Sequence, residues 1–209
     1  MPTGQTIPMP PQRRATKYQG QRPPLAALLA DTKIVPALRD PETLDKALAA
    51  RGSVIYILCC DPENIGDMVR RIHAAEKFSI VNIDLMNGFA RDKFALRHLA
   101  GLGVDGVIST HVESLRQAQS LGLYVIQRTF LLDSAAMNHI CNQLRNSTVD
   151  ALELLPAMAV PRFVPIAAAI APSIPLCGGG LITTMAEAVE ILDRGCHAIS
   201  TSDPQLWVP

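Results

Sequence analysis

Aromatic side chains make up only 4% of the 209 residues, too few for a broad platform on which nucleic-acid bases could stack. Charge of one sign is missing too. Nineteen Lys and Arg balance nineteen Asp and Glu, so the net field calls for neither a polyanion nor an anionic membrane. The apolar region from Ala151 to Leu181 is interrupted by Pro156, Pro161, Arg162, Pro165, Pro172 and Pro175, which argues against a membrane-spanning helix. The N-terminus has no apolar signal core, and a cytoplasmic location is expected. Five cysteines, an odd set without metal-ligand spacing, lie in apolar stretches where a reduced thiol behaves as a small hydrophobe. A Schiff-base enzyme needs a lysine at a strand end, and Lys17, Lys33, Lys46, Lys77 and Lys93 all fall elsewhere. Histidines do not cluster as a zinc site requires; only His111, just past a strand, reaches a useful position. No cofactor is expected.

What is present is a regular alternation. Residues 1–30 are rich in Pro, Gln, Thr and Arg and read as a flexible basic arm, with too little apolar surface to offset chain entropy. From residue 31 to 209 the chain reads as a single domain. Its β-like runs are "IVPAL", "VIYILCC", "SIVNIDL", "GVIST", "YVIQRTF", "ALELLP", "IPLCGG" and "HAISTS". Helical patterns separate them: Ile65, Met68, Val69 and Ile72 recur at helical spacing, as do Met137, Ile140, Cys141 and Leu144, and Met185, Ala188, Val189 and Leu192. Asp40-Pro41 and Asp61-Pro62 are helix starts, and Thr184 with Glu187 forms a capping-box pattern. The order predicts a small α/β fold, a closed (β/α)8 TIM-type barrel with little left for a helix after Trp207. An open doubly wound sheet is the alternative.

Period-two alternation sorts the strands. Val81, Ile83 and Leu85 form one row of "SIVNIDL" and Asn82 with Asp84 the other; Glu153 opposes Leu152 and Leu154. Apolar rows should meet the surrounding helices, which sends Asn82, Asp84 and Glu153 into the barrel. Arg128 shares a row with Tyr124 and Ile126, and arginine is rarely buried without an acidic neighbour or an anionic ligand. Barrel sites lie at the C-terminal ends of strands, so Arg39, Asp84, Ser109, Arg128, Glu153, Gly179, Thr201 and Ser202 belong near one rim. They are read either as a ligand site or as an interior salt-bridge layer. "CGGGLITT" after the seventh strand and "STSD" after the eighth occupy the places that commonly hold phosphate in barrels.

The pieces "IVPALRD", "NIDLMNG", "GVISTH", "VIQRTFLLDS", "LELLPAM", "CGGGLITT" and "ISTSDPQLW", from Ile34 to Trp207, resemble the glycerol-3-phosphate-responsive antiterminators of bacterial glycerol operons. The resemblance implies a barrel that binds glycerol 3-phosphate, engages leader mRNA and lets transcription pass a terminator. It implies that Gly179, Gly180, Thr201 and Ser202 cradle the phosphate, while Asp84, Arg128 and Glu153 hold the glycerol hydroxyls or fix one another. Three positions depart from the family pattern: His111 where Arg or Lys is usual, Thr183 in place of an arginine, and Ala157 in place of a glycine. Two cations are thereby lost from the neighbourhood expected for the phosphate. The competing reading is a small barrel isomerase or lyase acting on a phosphorylated sugar or triose, with Asp84 and Glu153 as acid and base. Residues 157–175 fit a buried sixth helix or a subunit contact, so a homo-oligomer stays open.

Overall fold

The computed structural model describes residues 22–208. Eight parallel strands close into a barrel in sequence order, β8 pairing back onto β1 with Val35 beside Ser200. The strands are β1 (Ile34–Leu38), β2 (Val54–Ile57), β3 (Phe78–Asn82), β4 (Gly106–Ser109), β5 (Tyr124–Phe130), β6 (Ala151–Leu155), β7 (Leu176–Gly179) and β8 (Ala198–Thr201). Among the described residues one helix precedes β1, α1 (Leu25–Thr32). The crossovers are α2 (Leu44–Ala49), α3 (Ile65–Ala74), α4 (Lys93–Gly101), α5 (Val112–Ser120), α6 (Ser134–Leu144), α7 (Val160–Ile170) and α8 (Met185–Asp193). Among the described residues a short 3-10 turn, Pro204–Leu206, follows β8.

Helix starts follow their capping chemistry. Asp92 and Asp133 each accept backbone N–H groups at the starts of α4 and α6, and Thr184 and Glu187 form a reciprocal box at α8. Pro161 opens α7, and Pro165 lies inside it. The α7 segment covers the barrel wall through Val160, Phe163 and Ala167. On α8 the buried residues are Ala188 and Ile191, while Val189, expected on the inner face, is exposed.

Two apolar shells result. Outward rows such as Ile55, Ile57, Val81, Val107 and Val125 meet the helices. Inward residues Val35, Ala37, Val54, Tyr56, Ile80, Ile108, Ile126, Cys177 and Ala198 fill the barrel axis. The expected sorting of rows holds as far as β3 extends.

The boundary drawn at residue 30 is corrected by α1. Leu25, Leu28 and Leu29 belong to the same buried cluster as the inward residues near the strands' N-terminal ends, so α1 plugs that end of the barrel. Arg22 stacks over the Tyr124 ring, 3.4 Å from its centroid, and the Tyr124 hydroxyl donates to the Pro23 carbonyl. Residues 1–21 of the expected arm lie outside the described residues.

The cysteines are free thiols. Burial, helped by Asp40, pushes the Cys59 thiol up to about 11, and burial takes Cys60 to about 12 and Cys196 to about 11. The reactive thiolate is correspondingly scarce. At pH 8, iodoacetamide is expected to alkylate native Cys59 about a hundredfold more slowly than the same cysteine in urea, as followed by mass spectrometry. Comparable rates would show the thiol to be unperturbed.

Candidate ligand site

Inward charged residues gather at the C-terminal ends of the strands, around a cavity of about 130 Å³. That is below the roughly 300–1,000 Å³ of drug-sized ligand pockets and suits a small metabolite. Arg39, Arg128, Glu153, Gly179, Gly180, Thr201 and Ser202 line it, together with Ala37, Leu58, Leu155, Leu181, Ile182, Ser200 and Asp203.

The centre of the site is a buried ion pair. Arg128 and Glu153 are register partners on β5 and β6, and both point inward. Arg128 Nε donates to Glu153 Oε2 at 2.7 Å, and Ser200 Oγ donates to Oε1 at 2.7 Å. Glu153 is fully buried, so its charge is tolerated only because both oxygens are held. Arg128 uses one of five N–H groups in this bond; its Nη groups have no acceptor among the described residues. Below the pair, Tyr56 donates its hydroxyl to Cys177 Sγ, and burial pushes both groups well above their ordinary pKa values.

The glycines set the wall. A Cβ on Gly179 would lie 2.7 Å from Ser200 Oγ and 3.2 Å from Glu153 Oε1, so only glycine lets β7 pass behind the carboxylate. Gly180 adopts φ 74°, where glycine is unstrained, and turns the chain out of the barrel. Gly180 follows directly on the Gly179–Ser200 pair that ends the β7–β8 ladder, and Ser202 follows the last residue of β8. Gly179→Ala is expected to displace Ser200 from Glu153 and cost about 1–3 kcal/mol, read as a lower urea midpoint. An unchanged midpoint would mean that the strand yields freely.

Asp84 and Ser109, both expected at the ligand rim, do not join the cavity lining. β3 ends at Asn82, and the Asp84 carboxylate turns to the loop after β4. It accepts from Ser109 Oγ at 2.8 Å, Thr110 N at 2.7 Å and Thr110 Oγ1 at 2.9 Å. Ser109 shares the outward row of Val107. Ser200 was missed in favour of its neighbours, although strict alternation from Ala198 already points it inward.

The three unusual positions also find places. Thr183 donates through N and Oγ1 to Glu187 at the start of α8, and does not line the cavity. These bonds, the Thr183 N–H first, hold the Glu187 carboxyl below its usual range. His111 Nε2 lies 2.7 Å from Arg91 Nη1, also off the cavity. Ala157 Cβ lies 3.0 Å from where a Cβ on Gly178 would stand, so Gly178 supplies the room that Ala157 needs. Arg39 and Arg128 remain as the cations at the mouth.

The chain is thus a small parallel (β/α)8 barrel with an arginine- and glycine-lined cavity at its strand tips. The family model for the glycerol-3-phosphate responsive antiterminator matches residues 34–207, and the chain belongs to that family. Its fold is similar to a glycerol uptake operon antiterminator regulatory protein from Listeria monocytogenes, 27% identical, with TM-score 0.76 over 85% of this chain and 95% of that one. It is equally similar to a glycerol uptake operon antiterminator-related protein from Thermotoga maritima, 28% identical, with TM-score 0.75 over 84% and 98%. The uncharacterized protein YgcP of Escherichia coli K12 is 28% identical over 88% of this chain and 96% of its own length. An aldolase that shares 12% identity with TM-score 0.66 has the barrel in common and nothing more specific.

Proposed function

We propose that this antiterminator-family protein binds glycerol 3-phosphate in the strand-tip cavity and, when occupied, engages leader mRNA so that transcription passes a terminator. Family membership supports the regulatory role. The observation that carries the ligand assignment is the buried Arg128–Glu153 pair, which uses only Nε of an arginine lining the same cavity as Gly179, Gly180 and Ser202. A guanidinium fork beside glycines that let a ligand approach the backbone closely suits phosphate oxygens. Glu153 Oε1 and Ser200 beneath them suit a polyol hydroxyl. Asp203 also lines the cavity, but its Oδ1 accepts the Gln205 N–H at 2.9 Å, which ties its charge to the following turn.

The protein acts in the cytoplasm, where both the metabolite and nascent RNA are found; among the described residues no helix is long and apolar enough to cross a membrane. Calorimetry with glycerol 3-phosphate should give saturable binding. A gel shift with a glycerol-operon leader RNA should depend on that ligand and weaken with salt. Silence in both measurements at low salt would overturn the reading.

A further inference from the structure

Asn82 holds an unexplained donor. Its side chain is 1% exposed and its Nδ2 has no hydrogen-bond partner among the described residues. The amide cannot simply be turned round, because Oδ1 accepts the Asp84 backbone N–H at 3.0 Å; a flip would set two donors against each other. Leaving a buried donor unsatisfied is destabilising, so its persistence at a strand tip points to a partner that arrives.

Its place in the fold says where. Asn82 follows Ile80 and Val81 on β3; Ile80 lies in the axial cluster and Val81 in the outer one, so Asn82 faces the axis. The β2–β3 register sets Ile57 beside Val81 and hence Asn82 alongside Leu58, which lines the cavity. In the closed order of eight strands, β3 stands opposite β7, where Gly179 and Gly180 lie. Asp84, through its own N–H and its anchors on Ser109 and Thr110, keeps the amide in this orientation.

We infer that Asn82, which does not itself line the cavity but faces the axis alongside Leu58, which does, is the specificity residue at the end remote from the phosphate, donating Nδ2–H to the terminal C1 hydroxyl oxygen of the bound polyol phosphate. Asp84 is a positioning residue that acts through it. This rests on the ligand reading above, and deepens it by assigning the end of the ligand that the arginine and glycines leave free.

The test is a ligand-by-residue cycle on the full chain, by calorimetry. Wild type is titrated with glycerol 3-phosphate and with propane-1,2-diol 1-phosphate, which lacks only the C1 hydroxyl; Asn82→Ala and Asn82→Ser are titrated with both. Wild type should bind the deoxy compound about tenfold more weakly, the value of one well-made hydrogen bond. Asn82→Ala should bind the two compounds within about twofold of each other, and Asn82→Ser should recover part of the discrimination. A purely structural role would lower both affinities together and leave their ratio intact, which overturns the inference. Wild type that fails to distinguish the compounds overturns it without any variant, and does so even if Asn82→Ala does not fold. Wild type that binds neither compound removes the ligand reading as well, whereas binding of both with equal strength removes only the role of Asn82.

Discussion

Arg128→Met is expected to lower stability by about 3–5 kcal/mol, and the thermal midpoint by roughly 6–20 °C, although Arg128 stands at a cavity mouth. The cause is what it leaves behind. Glu153 is 0% exposed and would keep only the Ser200 hydroxyl, so an ionised carboxylate would sit uncompensated inside the barrel. The converse variant, Glu153→Leu, should cost less, because the Arg128 side chain is 11% exposed and water can reach it. Arg128→Met combined with Glu153→Leu should regain most of the loss, since a buried ion pair replaced by apolar groups of similar volume is often nearly neutral. Anion affinity would not return in the double variant. Urea denaturation of the four proteins, with calorimetry on each, separates the two roles. If Arg128→Met matches wild type in stability, Glu153 does not depend on the arginine and the pair is a consequence of packing alone.

That pair was legible before any coordinates. Tyr124, Ile126 and Arg128 share a row of an uninterrupted strand, as do Ala151 and Glu153, and parallel strands keep strict alternation wherever the ladder continues. Alternation fails where the ladder stops. Asp84 was placed inside by extending the β3 row two residues too far. The chain has already turned after Asn82, with the Leu85 N–H donating back to the Asn82 carbonyl. Glycine positions were legible as turns, but that Gly179 must lack a Cβ because of Ser200 and Glu153 depends on atoms 21 and 26 residues away, which sequence spacing does not supply. The orphan amide of Asn82 is likewise a property of the assembled ring. The largest omission had a visible signal. Leu25, Leu28, Leu29 and Thr32 fall at i, i+3, i+4 and i+7, but the Pro, Gln and Arg content of the preceding residues masked that short period.

The omitted helix carries the other large effect. Leu28 and Leu29 are both 0% exposed, and between them they close the end of the barrel away from the cavity. Each truncation to alanine should cost about 2–5 kcal/mol, because strands on a closed ring cannot collapse into the space left. The pair together should therefore approach the whole stability of an ordinary domain, about 5–15 kcal/mol. Docking of α1 is specific and not merely greasy. Thr32 Oγ1 accepts the Ser53 N–H at 3.0 Å, and Gly52, at φ 83°, approaches so closely that a Cβ would lie 2.5 Å from Thr32 Cα. Leu28→Ala with Leu29→Ala should thus leave a largely unfolded protein at 37 °C by circular dichroism, while Ala30→Ser on the exposed face stays within about 0.5 kcal/mol of wild type. Leu29→Ala alone should still fold and keep wild-type ligand affinity, since the cavity lies at the opposite strand ends. A double variant as stable as wild type would mean that α1 rests on the barrel without sealing it, and that the chain before β1 contributes nothing to the fold.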